Sequence, residues 1–308
     1  MLDPDTFLTF LYVTVDDYSK TLPPPRRRPG PAAALSRSEV VTLALFGQWA
    51  RFGGERGFYR YAARHLRSAF PRLPARAQLN RLLRAEHAAI VAVGQALAET
   101  LGARGGAYEV LDATAVRVRN VKRGGAGWLA GAVDIGWSNR LGWYEGFHLL
   151  VSASPDGVVT GFGFGRASTK DQPLAETLFA ARHAAEPRLP SVGRPSGEPY
   201  VADGGFVGAD LHRHWRAAYG AQVICPPGRT ARQPWPAALH RWHSGLRQII
   251  ETVNDALLLT FGLDAERPHA LGGFQARLAA RVALHNFCCW LNRHLGRPLL
   301  AFADLLGW

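Results

Sequence analysis

Residues 200–206 read YVADGGF, a short apolar run that ends in a carboxylate and two glycines. The apolar run is typical of a buried strand, and Asp203 stands where that strand would end. A carboxylate at the mouth of a buried strand must be solvated, paired or used, because burying an unpaired charge is costly. The two glycines carry no side chain, so a large anion has room to approach the backbone. This stretch therefore predicts a sheet edge that carries a functional acid.

The segments on either side of YVADGGF predict an α/β domain with five strands. Residues 108–118, YEVLDATAVRV, are rich in strand-forming residues and place Asp112 inside a strand. Residues 147–164 read as a hairpin whose turn is Pro-Asp-Gly, and AQVICPP at 221–227 reads as the last strand. Between and after the strands, helices are predicted over residues 170–185, 208–218, 239–263 and 270–295.

The first hundred residues are predicted to be wholly helical. Residues 4–19 form a plausible first helix, and Ser36 with Glu39 forms a capping box that starts a second helix near Arg37. A further helix is predicted over residues 76–101. The proline-rich stretch TLPPPRRRPGPAAA at 21–34 is interpreted as a linker or exposed arm that stays solvated. The glycine-rich stretch GARGGA at 102–107 separates the helical pattern from the predicted strands. The chain is therefore predicted to divide into a helical region, 1–103, and an α/β domain, 104–308.

Composition places the chain among globular proteins. Of its 308 residues, 47% are hydrophobic and 19% are charged, as in packed rather than disordered chains. No window approaches the roughly 18 uninterrupted apolar residues that a membrane span needs, and the first residues, MLDPDTFLTFLYVTVDD, lack the basic leader of a signal peptide. The three cysteines form no CxxC pair. These features predict a cytoplasmic, reduced protein with no membrane partner.

The chain is strongly basic, with a formal net charge of +12. Such a charge favours a polyanionic partner, because clustered cations release counterions from nucleic acid. An excess of arginine together with abundant alanine, glycine and proline is also typical of a GC-rich genome, so charge alone leaves both explanations open. Arg56, Arg60, Arg64 and Arg67 are spaced four, four and three apart, which predicts one helix face. That face suits a DNA phosphate backbone, and the alternative is an ordinary solvated face.

Three acids stand out as candidate metal ligands. Asp112 interrupts one apolar strand, Asp203 ends another, and Glu251 lies at the edge of the apolar face of a late helix. Carboxylates that converge from two strands and a helix offer the hard oxygen ligands that Mg²⁺ prefers, with positions left for water and phosphate. Two such ions stabilise the attacking and leaving oxygens of an in-line displacement at phosphorus. The pattern favours phosphodiester cleavage.

Several stretches, taken together and in this order, resemble the DDE transposases of small bacterial insertion sequences. The resemblance covers about residues 36 to 297, and its motifs are the helical stretch from LSRSEVV to RLLR, then LDATAV, the stretch from WYEGFHLL to STKDQP, YVADGGF and RQIIETVNDALLLTFGL. It implies a ribonuclease-H-like mixed sheet flanked by helices, behind an all-helical N-terminal domain. On this resemblance, residues 1–103 would be a helical, basic DNA-binding region and residues 104–308 the catalytic domain. In the family pattern, the two aspartates and the glutamate match Asp112, Asp203 and Glu251, and the implied cofactor is a pair of Mg²⁺ or Mn²⁺ ions.

Three further residues are candidates for contacts with DNA. Arg247 matches the family arginine four residues before Glu251, and it either holds a phosphate or pairs with that glutamate. His148 either touches DNA or metal-bound water, or is a satisfied core histidine. Trp235, among prolines in a basic segment, is a candidate for stacking on an unpaired base. The family also often has a tyrosine and a lysine on the last helix, where this chain has Ser244 and Leu258.

The resemblance implies a transposase that acts in the bacterial cytoplasm, associated with the nucleoid. Its partners would be double-stranded DNA, both element ends and target DNA, and a second copy of the chain, since two ends must be brought together. The reaction would be metal-dependent strand cleavage at terminal inverted repeats, followed by strand transfer. Two alternatives stay open at this point: a nuclease of the same fold without strand transfer, and a catalytically inactive DNA-binding descendant of a transposase.

Overall fold

A computed structural model gives the fold. It describes residues 1–24, 33–122, 127, 129–183, 190–193, 195, 197–228, 231–265 and 267–308. The chain divides into two compact units, the first formed by Met1–Leu97 with Leu257–Trp308 and the second by Ala98–Ala256. Most of the predicted proline-rich linker lies outside the described residues. The functional division at residues 103 and 104 stays a prediction, whereas packing divides the chain near residue 97 and assigns the last 52 residues to the first unit.

Nine α-helices are present in the described part of the chain. They are α1 (Pro4–Thr21), α2 (Arg37–Phe46), α3 (Glu55–His65), α4 (Arg76–Ala85), α5 (His87–Thr100), α6 (Asp171–Arg182), α7 (Ala209–Tyr219), α8 (Ala237–Asp255) and α9 (Leu271–His294). A π-helical turn, Ala256–Thr260, follows α8. None of the helices within the described ranges combines the length and apolar character that a membrane span requires.

The first unit is helical, as predicted. The capping box at the start of α2 is formed, with the Ser36 hydroxyl bound to the Glu39 amide and the Glu39 side chain bound to the Ser36 amide. Helices α2 and α4 pack against α9, and the Asn286 side chain of α9 donates to the Gly94 carbonyl of α5. The C-terminal helix therefore supplies part of the core around which the N-terminal helices fold.

Two details of the helical prediction are wrong. Residues 76–101 form two helices instead of one, because Glu86 leaves helical geometry and its carboxylate pairs with Arg37 of α2 at 3.1 Å. Helix α3 ends at His65, with Leu66 at its C-cap, so Arg67 lies beyond it. The predicted arginine face therefore holds Arg56, Arg60 and Arg64 on α3, and these three side chains are exposed.

The second unit is built on a mixed six-stranded sheet, in agreement with a ribonuclease-H-like fold. Its strands are β1 (Glu109–Arg119), β2 (Asp134–Ser138), β3 (Gly142–Ala153), β4 (Val159–Arg166), β5 (Tyr200–Ala202) and β6 (Val223–Ile224). The order is β2-β3-β1-β5-β6, and β4 also pairs with β3. Strands β1, β5 and β6 run parallel, while β2, β3 and β4 are antiparallel to their neighbours. The predicted hairpin is β3 and β4.

Strand β2 was not predicted, because its sequence DIGWS is not an apolar run. Ile135 and Trp137 are exposed, and only Gly136 at its centre is buried. A Cβ atom on that glycine would collide with the backbone of Ala167, so a close approach of two backbone segments fixes the residue there. The strand is held by pairing to β3 more than by its own burial.

The two faces of the sheet have different partners. Leu111 and Ala202 belong to a core cluster that also contains Leu174 of α6 and Trp215 of α7. Successive side chains of a strand point to opposite faces, so Asp112 lies on the other face. Helix α8 packs against β1, β3 and β5. The alternation of β1 therefore directs an apolar row to α6 and α7, and Asp112 to α8.

A buried ion pair lies within the first of these faces. The side chains of Glu109 and Arg182 are fully buried, with Nη1 of the arginine 2.9 Å from Oε2 of the glutamate. Arg182 also donates to the hydroxyl of Tyr200 at 3.0 Å, and Ser152 and Thr160 donate to Glu109. Burial alone would raise the pKa of Glu109, but the arginine and the hydroxyl donors lower it below its ordinary value. This network is compensated and belongs to the core.

Candidate active site

Asp112 and Asp203 stand at the same level of two neighbouring parallel strands, Asp112 within β1 and Asp203 directly after β5. The last residues that pair β1 with β5 are Leu111 and Ala202, and β1 continues to Arg119 in its pairing with β3. Asp112 follows Leu111 and Asp203 follows Ala202, so the two acids are neighbours at the point where β5 ends. The sequence signals that identified them, an acid that interrupts one apolar strand and an acid that ends another, here reflect the shared register of the two strands.

The carboxylate of Asp112 is held by helix α8. Nδ2 of Asn254 donates to Oδ2 of Asp112 at 2.9 Å, and Nη2 of Arg247 lies 3.3 Å from Oδ1. Burial raises the pKa of Asp112 to about 7, Arg247 opposes that shift, and the carboxylates of Asp203 and Asp171 add to it. Repulsion between acids gathered in a partly buried site is the electrostatic condition that a divalent cation relieves.

Asp171 is an acid of this site that the sequence analysis did not identify. It is the first residue of α6, a position where acids commonly serve only the helix dipole. A Cβ atom on Gly205 would collide with the carboxylates of both Asp171 and Asp203, so these two acids converge on one glycine. Burial raises the pKa of Asp171, and the Asp203 carboxylate raises it further, whereas His148 lowers it. The sequence pointed to Gly205 through the ADGGF motif, but no neighbouring residues indicated that Asp171 would lie against it.

His148 is tied to Asp171 instead of standing free in the core. Its Nε2 lies 3.4 Å from Oδ1 of Asp171, and its Nδ1 lies 2.6 Å from the carbonyl oxygen of Thr169. A carbonyl only accepts hydrogen bonds, so Nδ1 carries a proton there. The ring of His148 therefore lies between the Thr169 carbonyl and the Asp171 carboxylate, and contacts both.

Arg247, Glu251 and Asn254 share one stripe of α8, because they are spaced four and three residues apart. The first and last of them contact Asp112, while Glu251 lies between them in sequence and is exposed. Arg247 therefore pairs with Asp112, a partner that was not predicted from the sequence. Asn254 was also missed, although its spacing from Arg247 identifies it. Nε of Arg247 and Oδ1 of Asn254 are buried without a hydrogen-bond partner among the described residues.

The acids fit a divalent metal in chemistry and charge. Asp112, Asp203 and Asp171 offer hard oxygen donors that repel one another. Across the described ranges, however, no group of three or more His, Cys, Asp or Glu side chains is arranged to hold a metal ion. The coordination of ions by Asp112, Asp203 and Glu251 stays a prediction.

An open cavity of about 570 Å³ adjoins the acids. It is lined by Asp171, Gly205 and His148, and also by two tryptophans, Trp137 and Trp143. The tryptophans are directly paired across β2 and β3 and are 58% and 67% exposed. Exposed indoles beside polar groups are typical of binding surfaces. Trp137 and Trp143 were not among the candidates that the sequence indicated.

Trp235, which the sequence singled out as a candidate for base stacking, is only partly exposed. Its ring lies 5.2 Å from that of His243, which is 2% exposed, and 5.6 Å from that of His240. These contacts occupy part of the indole surface, and a role for Trp235 in stacking on DNA stays a prediction.

Comparison with known proteins identifies one family. Residues 110–287, more than half of the chain, match the family model described as the transposase DDE domain. The matched segment contains Asp112, Asp171, Asp203 and Glu251. No curated protein and no solved structure matches the chain significantly.

Proposed function

Because the chain belongs to the DDE transposase family, we propose that it cleaves DNA at the terminal inverted repeats of its own element and joins the freed ends to target DNA. The observation that carries the proposal is the placement of Asp112 and Asp203 at the same level of the adjacent parallel strands β1 and β5, on the side of Asp112 that contacts the α8 stripe containing Glu251. An acidic sheet edge flanked by an arginine suits a phosphodiester substrate, since it needs a cation to accept the phosphate.

Members of this family generally use divalent metal ions, and we assign Asp112, Asp203 and Glu251 as the ligands for two Mg²⁺ or Mn²⁺ ions. When bound, such ions supply Lewis-acid activation of the attacking oxygen and charge neutralisation at the leaving oxygen. The exposed side chain of Glu251 turns toward Asp112 in this proposal, a rotation about side-chain bonds that its place on the stripe permits.

The other residues of the site position the ligands and the substrate. Asn254 orients the carboxylate of Asp112 through its amide hydrogen bond. Arg247 pairs with Asp112, and it would be available to a phosphate when bound cations compensate the charge of that carboxylate. His148 and Asp171 contact each other and line the open cavity beside Gly205.

The two exposed tryptophans extend the proposal to unpaired bases. Base stacking on aromatic side chains is independent of sequence, because every base has a π-face. Trp137 and Trp143 border the cavity that also contains Asp171, so a strand held at the acids has its bases within the same cavity. Lys170, which lines the cavity as well, offers a cation to the backbone. We also propose that two copies of the chain act together in the bacterial cytoplasm, since two ends are joined.

The decisive experiment compares the wild-type protein with Asp112→Ala and Glu251→Gln. With Mg²⁺ and DNA that carries the element end, we expect nicking by the wild type and at least a hundredfold loss in both variants, as removal of a metal ligand costs on the order of several kcal/mol. Precleaved ends supplied with target DNA test strand transfer separately. Nicking without joined products would indicate a nuclease, and no wild-type nicking at all would indicate an inactive DNA-binding descendant.

A further inference from the structure

The first unit contains a cavity of about 480 Å³ whose walls are rich in arginine. Helices α3, α4 and α9 and the segment before α9 contribute to it. Its arginines are Arg56, Arg76, Arg84, Arg267, Arg277 and Arg281. One acid, Glu55, is among the lining residues, and it is already engaged by Arg277 and by Nδ2 of Asn80 at 2.6 Å. The residues that line the cavity therefore include six arginines and one acid.

Three helices begin at this cavity. Gly54, Arg76 and Ala270 line it, and they stand at the starts of α3, α4 and α9. None of these three helices has a side-chain hydrogen bond at its N-cap, where Gly54, Ala75 and Ala270 lie. The first amides of a helix lack intrahelical acceptors and carry the positive end of the helix dipole. The same cavity thus gathers arginines and helix starts, both of which favour anions.

A buried donor supports the same conclusion independently. Trp49 lines the cavity and is 6% exposed, and its buried indole Nε1 has no hydrogen-bond partner among the described residues. An unsatisfied buried donor is unusual in a folded protein and calls for an acceptor. Arg281 is equally buried, at 6%, and its Nε is fixed by the Phe261 carbonyl at 2.7 Å, so its guanidinium is held in place.

We propose that this cavity is a phosphate-binding site, separate from the acidic residues of the second unit. Arginine forks and helix amides are the groups that recognise phosphate oxygens. The ligand is either a phosphodiester of DNA, in which case the site serves the function proposed above, or the phosphate of a free nucleotide. In both cases the site needs the C-terminal segment, since α9 supplies Arg277 and Arg281.

The test uses the full chain with matched substitutions on one helix. Arg76 and Arg84 of α4 line the cavity, whereas Arg81 of the same helix does not, and all three are exposed. Arg76→Gln with Arg84→Gln is therefore compared with Arg81→Gln, which removes an exposed charge of the same helix outside the cavity. Binding is measured without divalent ions, using inorganic phosphate, dATP and a short labelled duplex, by calorimetry and fluorescence anisotropy.

We expect the paired substitution to weaken phosphate binding by about tenfold or more, because charge-assisted hydrogen bonds are lost. If the ligand is DNA, duplex affinity falls as well, and the slope of log K against log salt shrinks by about two. If the ligand is a nucleotide, dATP affinity falls while duplex affinity does not change. Equal effects of the paired substitution and Arg81→Gln, or no binding of any probe by the wild type, would overturn the proposal. Nicking assays are scored separately, so failure of the catalytic proposal leaves this result readable.

Discussion

The amide of Asn254 donates a 2.9 Å hydrogen bond to the carboxylate of Asp112, which joins the late helix α8 to the central strand β1. We predict that Asn254→Ala lowers Mg²⁺-dependent nicking by about tenfold to a hundredfold, since hydrogen bonds to charged groups contribute about 1.5–3 kcal/mol. The loss should appear in the metal concentration needed for half-maximal rate, because Asp112 is then misoriented as a ligand. Gln248→Ala, an exposed substitution on the same helix, is the control, and an equal loss there would argue against an orienting role.

The pKa of Asp112, raised to about 7 by burial and by its acidic neighbours, predicts a pH-dependent stability. An acid that binds its proton more tightly in the folded state stabilises that state at low pH, and the stabilisation is lost as pH rises. Without divalent ions, the free energy of unfolding should therefore fall between about pH 4 and 7, by at most roughly 4 kcal/mol. Chemical denaturation across that range measures the fall, which should be smaller in Asp112→Asn, where only the raised pKa of Asp171 still contributes to it. A wild-type slope that Asp112→Asn leaves unchanged would contradict this assignment.

Two adjacent glycines provide a test of the acid pair. A Cβ atom on Gly205 would collide with the Asp171 and Asp203 carboxylates, whereas one on Gly204 meets nothing within 4 Å. We predict that Gly205→Ala reduces nicking at least tenfold, because a displaced metal ligand disrupts the site. Gly204→Ala should retain activity within about twofold, since surface substitutions away from such contacts are nearly neutral. The expected contrast disappears if the two acids do not converge in solution.

The Glu109 and Arg182 pair is predicted to support stability. Glu109→Gln leaves a buried guanidinium without its counterion, and we expect a loss of about 3–5 kcal/mol in the free energy of unfolding. Replacing both members by leucine should cost less than the sum of the single changes, because neither charge is then buried alone. Urea denaturation at pH 7 measures both. Additive costs would mean that the two side chains do not interact in the folded protein.

Stacking on Trp137 and Trp143 is tested with abasic DNA. We predict that single-stranded DNA binds about tenfold more weakly to Trp137→Leu with Trp143→Leu, in keeping with the cost of lost base stacking. Phenylalanine at both positions should recover much of the affinity. An oligonucleotide of the same length with abasic sites keeps its phosphates, so its binding should be weak and insensitive to the substitutions. If the abasic strand loses affinity in parallel with the normal one, the tryptophans do not contact bases.

Local chemistry accounts for the parts of this fold that the sequence predicted. The capping box of Ser36 and Glu39 starts α2 as expected, and the Pro-Asp-Gly turn joins β3 to β4. Asp112 and Asp203 were identifiable because an acid in an apolar strand is costly wherever the strand lies. Each of these signals lies within a few residues of the feature that it predicts.

The features that were missed depend on residues far apart in the chain. Asp171 reads as a helix-start acid until the loop after β4 brings it to Gly205. The break at Glu86 follows from its pairing with Arg37, 49 residues earlier. The arginine cavity joins residues of α3 and α4 to residues of α9, more than 180 positions away. No periodicity or local motif predicts such contacts between distant residues, because they form only when the chain packs.

The chain leaves the first unit near residue 97 and re-enters it near residue 257. The second unit is thus an insertion whose two ends both continue into the first unit, so a single proteolytic cut at one junction does not release it. A premature stop just after Ala256 would retain Asp112, Asp203 and Glu251, yet it would remove α9 from the first unit. Such a truncated chain should be inactive because its first unit does not fold without α9, although all of the proposed catalytic carboxylates are still present.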